Sequence, residues 1–237
     1  MNGGVRSGFR RTIRLAASHG RVEAEVLDDF HHFALALDHD GARVTEIRGE
    51  ARRFPWTTCQ AAPTALSAFA GVALAAHPLT VFPLVNPRSQ CTHLFELAAL
   101  AMAQASRGVG ERLYAVKVDD PSDGEQGVRL TRDGGRLFDL SLVDDVVVRP
   151  VALEGRAMRA LTGRMLAAMP PEEGEAWMIM RQAWRTARGR QMTLDGVLTP
   201  LDLGRAPACF TGLAENLPRA RRVVGSQRDF SDGSKTP

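Results

Sequence analysis

The sequence predicts an α+β protein: an antiparallel β-meander with helices packed on one face, followed by a second α+β portion. Three observations predict it. Period-two alternation of apolar and polar residues runs through residues 9–54. Ala- and Leu-rich segments with helical spacing come next. The same order, strands and then helices, is then repeated.

The first four strands are FRRTIRLAA (9–17), RVEAEVLD (21–28), HHFALALD (31–38) and RVTEIRGEARRF (43–54). SHG joins the first two, and Asp40-Gly41, flanked by alternating apolar residues, marks a hairpin. TTCQAAPTALSAFAG (57–71) reads as a short Thr-capped helix ending at Gly71. A proline-rich loop, AAHPLTVFPLVNPRSQ, leads to the strongest helix, CTHLFELAALAMAQASRG (91–108), with Leu94, Leu97, Ala98 and Ala101 at helical spacing and Gly108 as its stop. Strands resume with RLYAVKVDD (112–120), GVRLTRDG (127–134) and RLFDLSLVDDVVVRPV (136–151), with a hairpin at Asp133-Gly134-Gly135. Two helices close the pattern. GRAMRALTGRMLAAM (155–169) stops at Pro170-Pro171, and EEGEAWMIMRQAWRTARGR (172–190) puts Trp177, Met180, Ala183 and Trp184 on one stripe. The organisation expected is a site-bearing part over 1–110, a packed accessory part over 111–230, and a disordered tail over 231–237.

Composition narrows the class. A chain of 237 residues, 44% hydrophobic and 24% charged, can build a core without disulfides. The net charge of +3 is small, and only 6% of residues are aromatic, with one Tyr. That is not the dense basic stripe with interleaved aromatics of a nucleic-acid binder. No secretory h-region opens the sequence, and no apolar run approaches the roughly 18 residues of a membrane helix, so a cytoplasmic protein is expected. Three cysteines, at 59, 91 and 209, then read as thiols or ligands.

The residues able to carry chemistry are few. Cys59 and Cys91 both stand at predicted helix starts, where unpaired N–H groups and the dipole favour thiolate. His93 shares the turn of Cys91. In LDDFHHFALALDHDG, Phe33, Leu35 and Leu37 define the apolar face of a strand. If that strand runs unbroken back to residue 29, Asp29 and His31 share the face, and Asp28 and His32 take the other. A β-bulge at 28–30 reverses the assignment. The core-side pair can be a hydrogen-bonded Asp–His pair, or it can bind a metal or reach the two cysteines. Arg222 and Arg228, in RARRVVGSQRDF, are candidates for holding an anion. GxGxxG, Walker, GxSxG, HExxH and CxxC motifs are all missing, so no nucleotide cofactor is indicated.

Two resemblances follow from these residues. RRTIRL, DDFHHF, PWTTC, CTHLF, the CF at 209–210 and the SxRDF at 226–230 resemble a bacterial family designated a domain of unknown function. The likeness spans roughly residues 9–230 and implies a bacterial cytoplasmic protein without a defined activity. Residues 28–106 distantly resemble the iron–sulfur scaffold fold of the NifU and SufE type. That likeness implies that Asp29, Cys59 and Cys91 converge to hold zinc or a cluster. The scaffold's first cysteine has no counterpart beside Leu27 and Asp28, and Gln90 stands where the scaffold has a His.

The expected function is therefore a metal- or thiol-dependent enzyme of the lyase or hydrolase type, acting on a small organic molecule. Asp29, Cys59 and Cys91 are its expected ligands for Zn or Fe, and His31, His93 and Cys59 its expected catalytic groups. A non-catalytic binding or assembly module and an iron–sulfur or sulfur-handling protein are the alternatives.

Overall fold

The computed structural model describes residues 7–231 apart from 193, 195 and 205. Eight strands form one antiparallel sheet: β1 (Gly8–Ser18), β2 (Arg21–Asp28), β3 (His32–His39), β4 (Val44–Arg53), β5 (Gly110–Asp119), β6 (Glu125–Arg132), β7 (Gly135–Val143) and β8 (Val146–Arg149). Their order is β4-β3-β2-β1-β5-β6-β7-β8. Two four-stranded meanders thus meet at β1, which pairs with β2 on one side and β5 on the other. The predicted accessory part continues the same sheet: its β5 pairs with β1 from Gly8↔Asp119 to Ala17↔Gly110.

Helices α1 (Thr92–Arg107) and α3 (Pro171–Ala187) lie on one face, α1 against β1–β3 and α3 against β1, β5 and β6. Alternation aims Phe9, Ile13 and Leu15 of β1, Val22, Ala24 and Val26 of β2, and Phe33, Leu35 and Leu37 of β3 into this core. The opposite face carries cross-strand charges such as Arg14–Glu111, Arg21–Asp38 and Arg52–Glu25. Such exposed pairs keep the face solvated and contribute little stability. Residues 93–104 of α1 are all buried, because the sheet and the preceding segments cover it.

Several predicted elements differ from those observed. The Ala-rich segment at Thr57–Phe69 is 3-10 rather than α-helical, with Pro63 inside it and no side-chain cap at Trp56. It packs closely on β4: a Cβ on Gly49 would meet Leu66 Cδ1 at 2.6 Å. The strand expected over 136–151 breaks at Asp144 and Asp145, whose φ values of 49° and 68° make the tight turn into β8. The helix expected over 155–169 is confined to α2 (Gly163–Ala167), which Thr162 caps by accepting from Met165 N. Apart from Ser231, the tail expected to be disordered lies outside the described residues. No helix among the described residues is long and apolar enough to cross a membrane.

Candidate functional site

The register of β1 and β2 sets Arg11 directly opposite Asp28 on the core face. Both side chains are fully buried. Arg11 donates from Nε and Nη2 to Asp28 Oδ2, at 3.0 and 2.6 Å. Its Nη2 also donates to Thr186 Oγ1 of α3, and its Nη1 to Glu96 Oε2 of α1 at 3.4 Å. A guanidinium inside the core is stable only because each side of it meets an acceptor.

The chain turns sharply after Asp28. Its Oδ1 accepts from the backbone N–H of Phe30 and of His31, an Asx-type turn that ends β2. The same oxygen lies 3.0 Å from His31 Nδ1. His31 stacks on His93 of α1 with ring centroids 3.8 Å apart. Asp28, His31 and His93 thereby offer one carboxylate and two imidazole ligand atoms, all within 4.8 Å of one another. Burial opposes the charge on Asp28, yet His31 and Arg11 hold its carboxyl well below the usual range. Burial, His31 and Arg11 push His93 well below the ordinary imidazole value, so it is neutral. Its Nε2 is buried without a hydrogen-bond partner, as is Glu96 Oε1. Burial raises the Glu96 carboxyl to about 8, with Arg11 opposing.

The turn reverses the predicted face of the acidic pair. Asp28, not Asp29, points into the core with His31. Asp29 is also buried, but Arg190 just beyond α3 donates to its Oδ2 at 2.6 Å. Burial lifts the Asp29 carboxyl to about 6 against that pairing. Arg190 is gripped further by Asp120 and Asp229. His32 lies on the open face, 2.6 Å from Glu25.

Cys59 and Cys91 do not join this cluster: among the described residues, the group able to hold a metal is Asp28, His31 and His93. Cys59 Sγ lies 3.4 Å from Thr211 Oγ1, in contact with the segment after Cys209. Burial pushes the Cys59 thiol up to about 11, and Cys209 adds to it. Burial, with Cys59, raises Cys91 as well. The thiolates expected at helix starts are therefore protonated thiols, because desolvation outweighs the dipole. Cys91 is the N-cap of α1, but its side chain makes no capping bond.

The predicted anion-binding arginines are part of a strap that holds the turn. Arg222 donates to Pro55 O, Val223 O and Ser226 Oγ and lies over the Trp56 ring. Arg228 donates its backbone N–H to Asp29 O, while its side chain turns back to Gly225 and Gln227 carbonyls. Arg53 of β4 donates to the carbonyls of Asp28, Asp29, His31 and Ser226, so it clamps turn and strap together. Arg10 reaches Ser231 O, and Arg53 lies over the Phe230 ring. Residues from RRTIRL, DDFHHF, CTHLF and SxRDF thus meet at one end of the sheet.

Sequence reasoning overlooked Arg11, Glu96 and Arg53. Arg11 had a signal: it is the one charged residue among Phe9, Ile13 and Leu15 on the apolar phase of β1. Comparison of the chain with protein-family models gives no match, and comparison with curated proteins gives none.

Proposed function

We propose that this protein is a metal-dependent enzyme of the lyase or hydrolase type that acts on a small organic molecule, with Asp28, His31 and His93 holding the ion. The observation that supports this reading is the buried convergence of one carboxylate and two imidazoles within 4.8 Å, with His93 Nε2 lacking any other partner. A neutral imidazole is the form that ligates metal, and His93 is held neutral. Two histidines with one carboxylate suit Zn²⁺ or Fe²⁺ and leave coordination positions open. A bound ion would supply Lewis acidity at neutral pH. Arg11 fixes the Asp28 carboxylate from behind through Oδ2, as outer-shell partners orient ligands elsewhere. His31 is the most exposed of the three, its side chain at 12%, so its edge of the group is the one nearest to a bound molecule.

The thiol version of the enzyme is not favoured, since Cys59 is buried and its thiol sits at about 11. The likeness to the NifU and SufE scaffolds would make Asp29, Cys59 and Cys91 the ligands, and Asp29 is instead engaged by Arg190. A second reading has one observation behind it. Asp28 already accepts two guanidinium bonds and two backbone bonds, so the cluster can also be a metal-free network that only orders the turn of a binding module.

One experiment separates them: elemental analysis of untagged protein purified without chelators, followed by titration with Zn²⁺ and Fe²⁺. The enzyme reading expects one ion per chain, lost in His93→Gln and retained in Cys59→Ala. Protein that holds no ion and takes up none on titration overturns it in favour of the metal-free network.

A further inference from the structure

A cavity of about 150 Å³ lies between α1 and α3, with the proline-rich loop as its third wall. Helical spacing explains its lining. Thr92, Phe95 and Glu96 occupy i, i+3 and i+4 on α1, and Met178, Arg181, Gln182 and Arg185 occupy i, i+3, i+4 and i+7 on α3. Each set is one face of its helix, and the two faces look across the cavity. Leu79, Phe82 and Leu166 complete an apolar floor.

The cations are the unusual part. Arg181 and Arg185 stand one turn apart on the same face, and like charges so placed destabilise a helix slightly. Many arginines of this protein meet a carboxylate, the buried Arg11 and the part-buried Arg107 and Arg190 among them. These two form no ion pair or side-chain hydrogen bond among the described residues, and Arg181 Nε is buried without a partner. The acid across the cavity, Glu96, spends its hydrogen bond on Arg11 instead. A part-buried and an exposed guanidinium, neither in an ion pair, stand over an apolar floor and form a half-site for an anion.

We infer that this cavity binds a small amphipathic anion, its carboxylate or phosphate on Arg181 and Arg185 and its short apolar body against Leu79, Phe82 and Leu166. The volume sets the size: it is below the roughly 300 Å³ at which pockets for drug-sized ligands begin, so the ligand has a short chain or one small ring. The planar forks of the two arginines can engage either a carboxylate or a phosphate. The site is independent of the metal reading. It is also close to it, because Glu96 lines the cavity and contacts Arg11, which grips Asp28.

The test is calorimetric titration of the full chain with hexanoate, hexyl phosphate and hexan-1-ol. Saturable binding of at least one of the two anions is expected, with hexanol at least tenfold weaker. Hexanoate binding more tightly than hexyl phosphate assigns a carboxylate ligand, and the reverse order assigns a phosphate ester. The Arg181→Gln/Arg185→Gln variant should bind at least tenfold more weakly at an unchanged melting temperature. If that variant proves unstable, Arg185→Gln alone carries the test, because Arg185 is exposed at the cavity rim; a loss of at least threefold is expected. Failure of both anions to saturate, hexanol binding as well as hexanoate, or unchanged affinity in a folded arginine variant would each overturn the proposal. None of these readouts depends on metal content, so this site and the Asp28–His31–His93 site stand or fall separately.

Discussion

Two buried acid–base networks lie beneath the helices of this sheet, and they are built to different standards. Under α3, Glu175 has both oxygens engaged: Tyr114 donates its hydroxyl to one, and Arg107 donates to the other at 2.6 Å. Arg112 stands nearby at 3.5 Å. Under α1, Arg11 and Asp28 are equally well joined, but His93 Nε2 and Glu96 Oε1 have no partner. The Glu175 network leaves one buried atom over, Arg107 Nη1, whereas the Asp28 network leaves an imidazole nitrogen and a carboxylate oxygen. Each unpaired group costs about 1–3 kcal/mol. The larger deficit lies beside Asp28, His31 and His93, the group that supports the proposed ion site.

The strongest way to break this comparison is to remove one acid from each network. Asp28→Asn should lower the urea-unfolding free energy by about 3–5 kcal/mol, since it leaves Arg11 buried without its counter-charge, and Glu175→Gln by less, since Arg107 and Arg112 are part-exposed. Only Asp28→Asn should also abolish ion binding. Equal ion content in the two variants would erase the distinction.

The next effect is a pH dependence. Glu96 is raised to about 8 in the folded protein, against about 4.3 in an unfolded chain. Between those values the folded state holds a proton that the unfolded state has released. Stability therefore falls as pH rises through this window and levels off above about 8, by at most on the order of 5 kcal/mol. Glu96→Gln should flatten that slope in denaturant midpoints measured from pH 5 to pH 8.5. A slope unchanged in the variant would place its source elsewhere.

Tyr114→Phe removes one bond to a buried carboxylate and should cost about 1.5–3 kcal/mol in thermal or urea unfolding while leaving ion binding intact. The smallest stability change belongs to His93→Leu. It replaces an unsatisfied buried imidazole with an apolar side chain, so the unfolding free energy should move by less than about 1 kcal/mol. Ion binding should nevertheless vanish. A large destabilisation would instead mark His93 as a structural member of its network.

The sheet was legible in the sequence because alternation and turn chemistry agree. Asp40-Gly41 and Asp133-Gly134 both mark hairpins of the structure. The site was half legible. Reading the phase of β3 backwards from Phe33 gives Asp29 and His31. Reading β2 forwards from Val22, Ala24 and Val26 gives Asp28, which is the residue facing the core. The two phases disagree because the chain between them is a turn rather than strand, and the carboxylate of Asp28 itself makes that turn. His93 was visible only as a neighbour of Cys91. Which way it points depends on packing, since residues 93–104 of α1 are buried on every side of the helix. The thiols misled for a related reason: a helix-start rule is local, whereas burial is a property of the whole fold.

The strap over the turn has a consequence for how the site comes into being. Arg53 and Asp29 receive their last contacts from Ser226 and Arg228, nearly two hundred residues downstream. A nascent chain can pair β1 to β4 and dock α1 long before those residues leave the ribosome. The turn carrying Asp28 and His31 is then locked only after residues 226–228 have been made, later than the strands and helix around it.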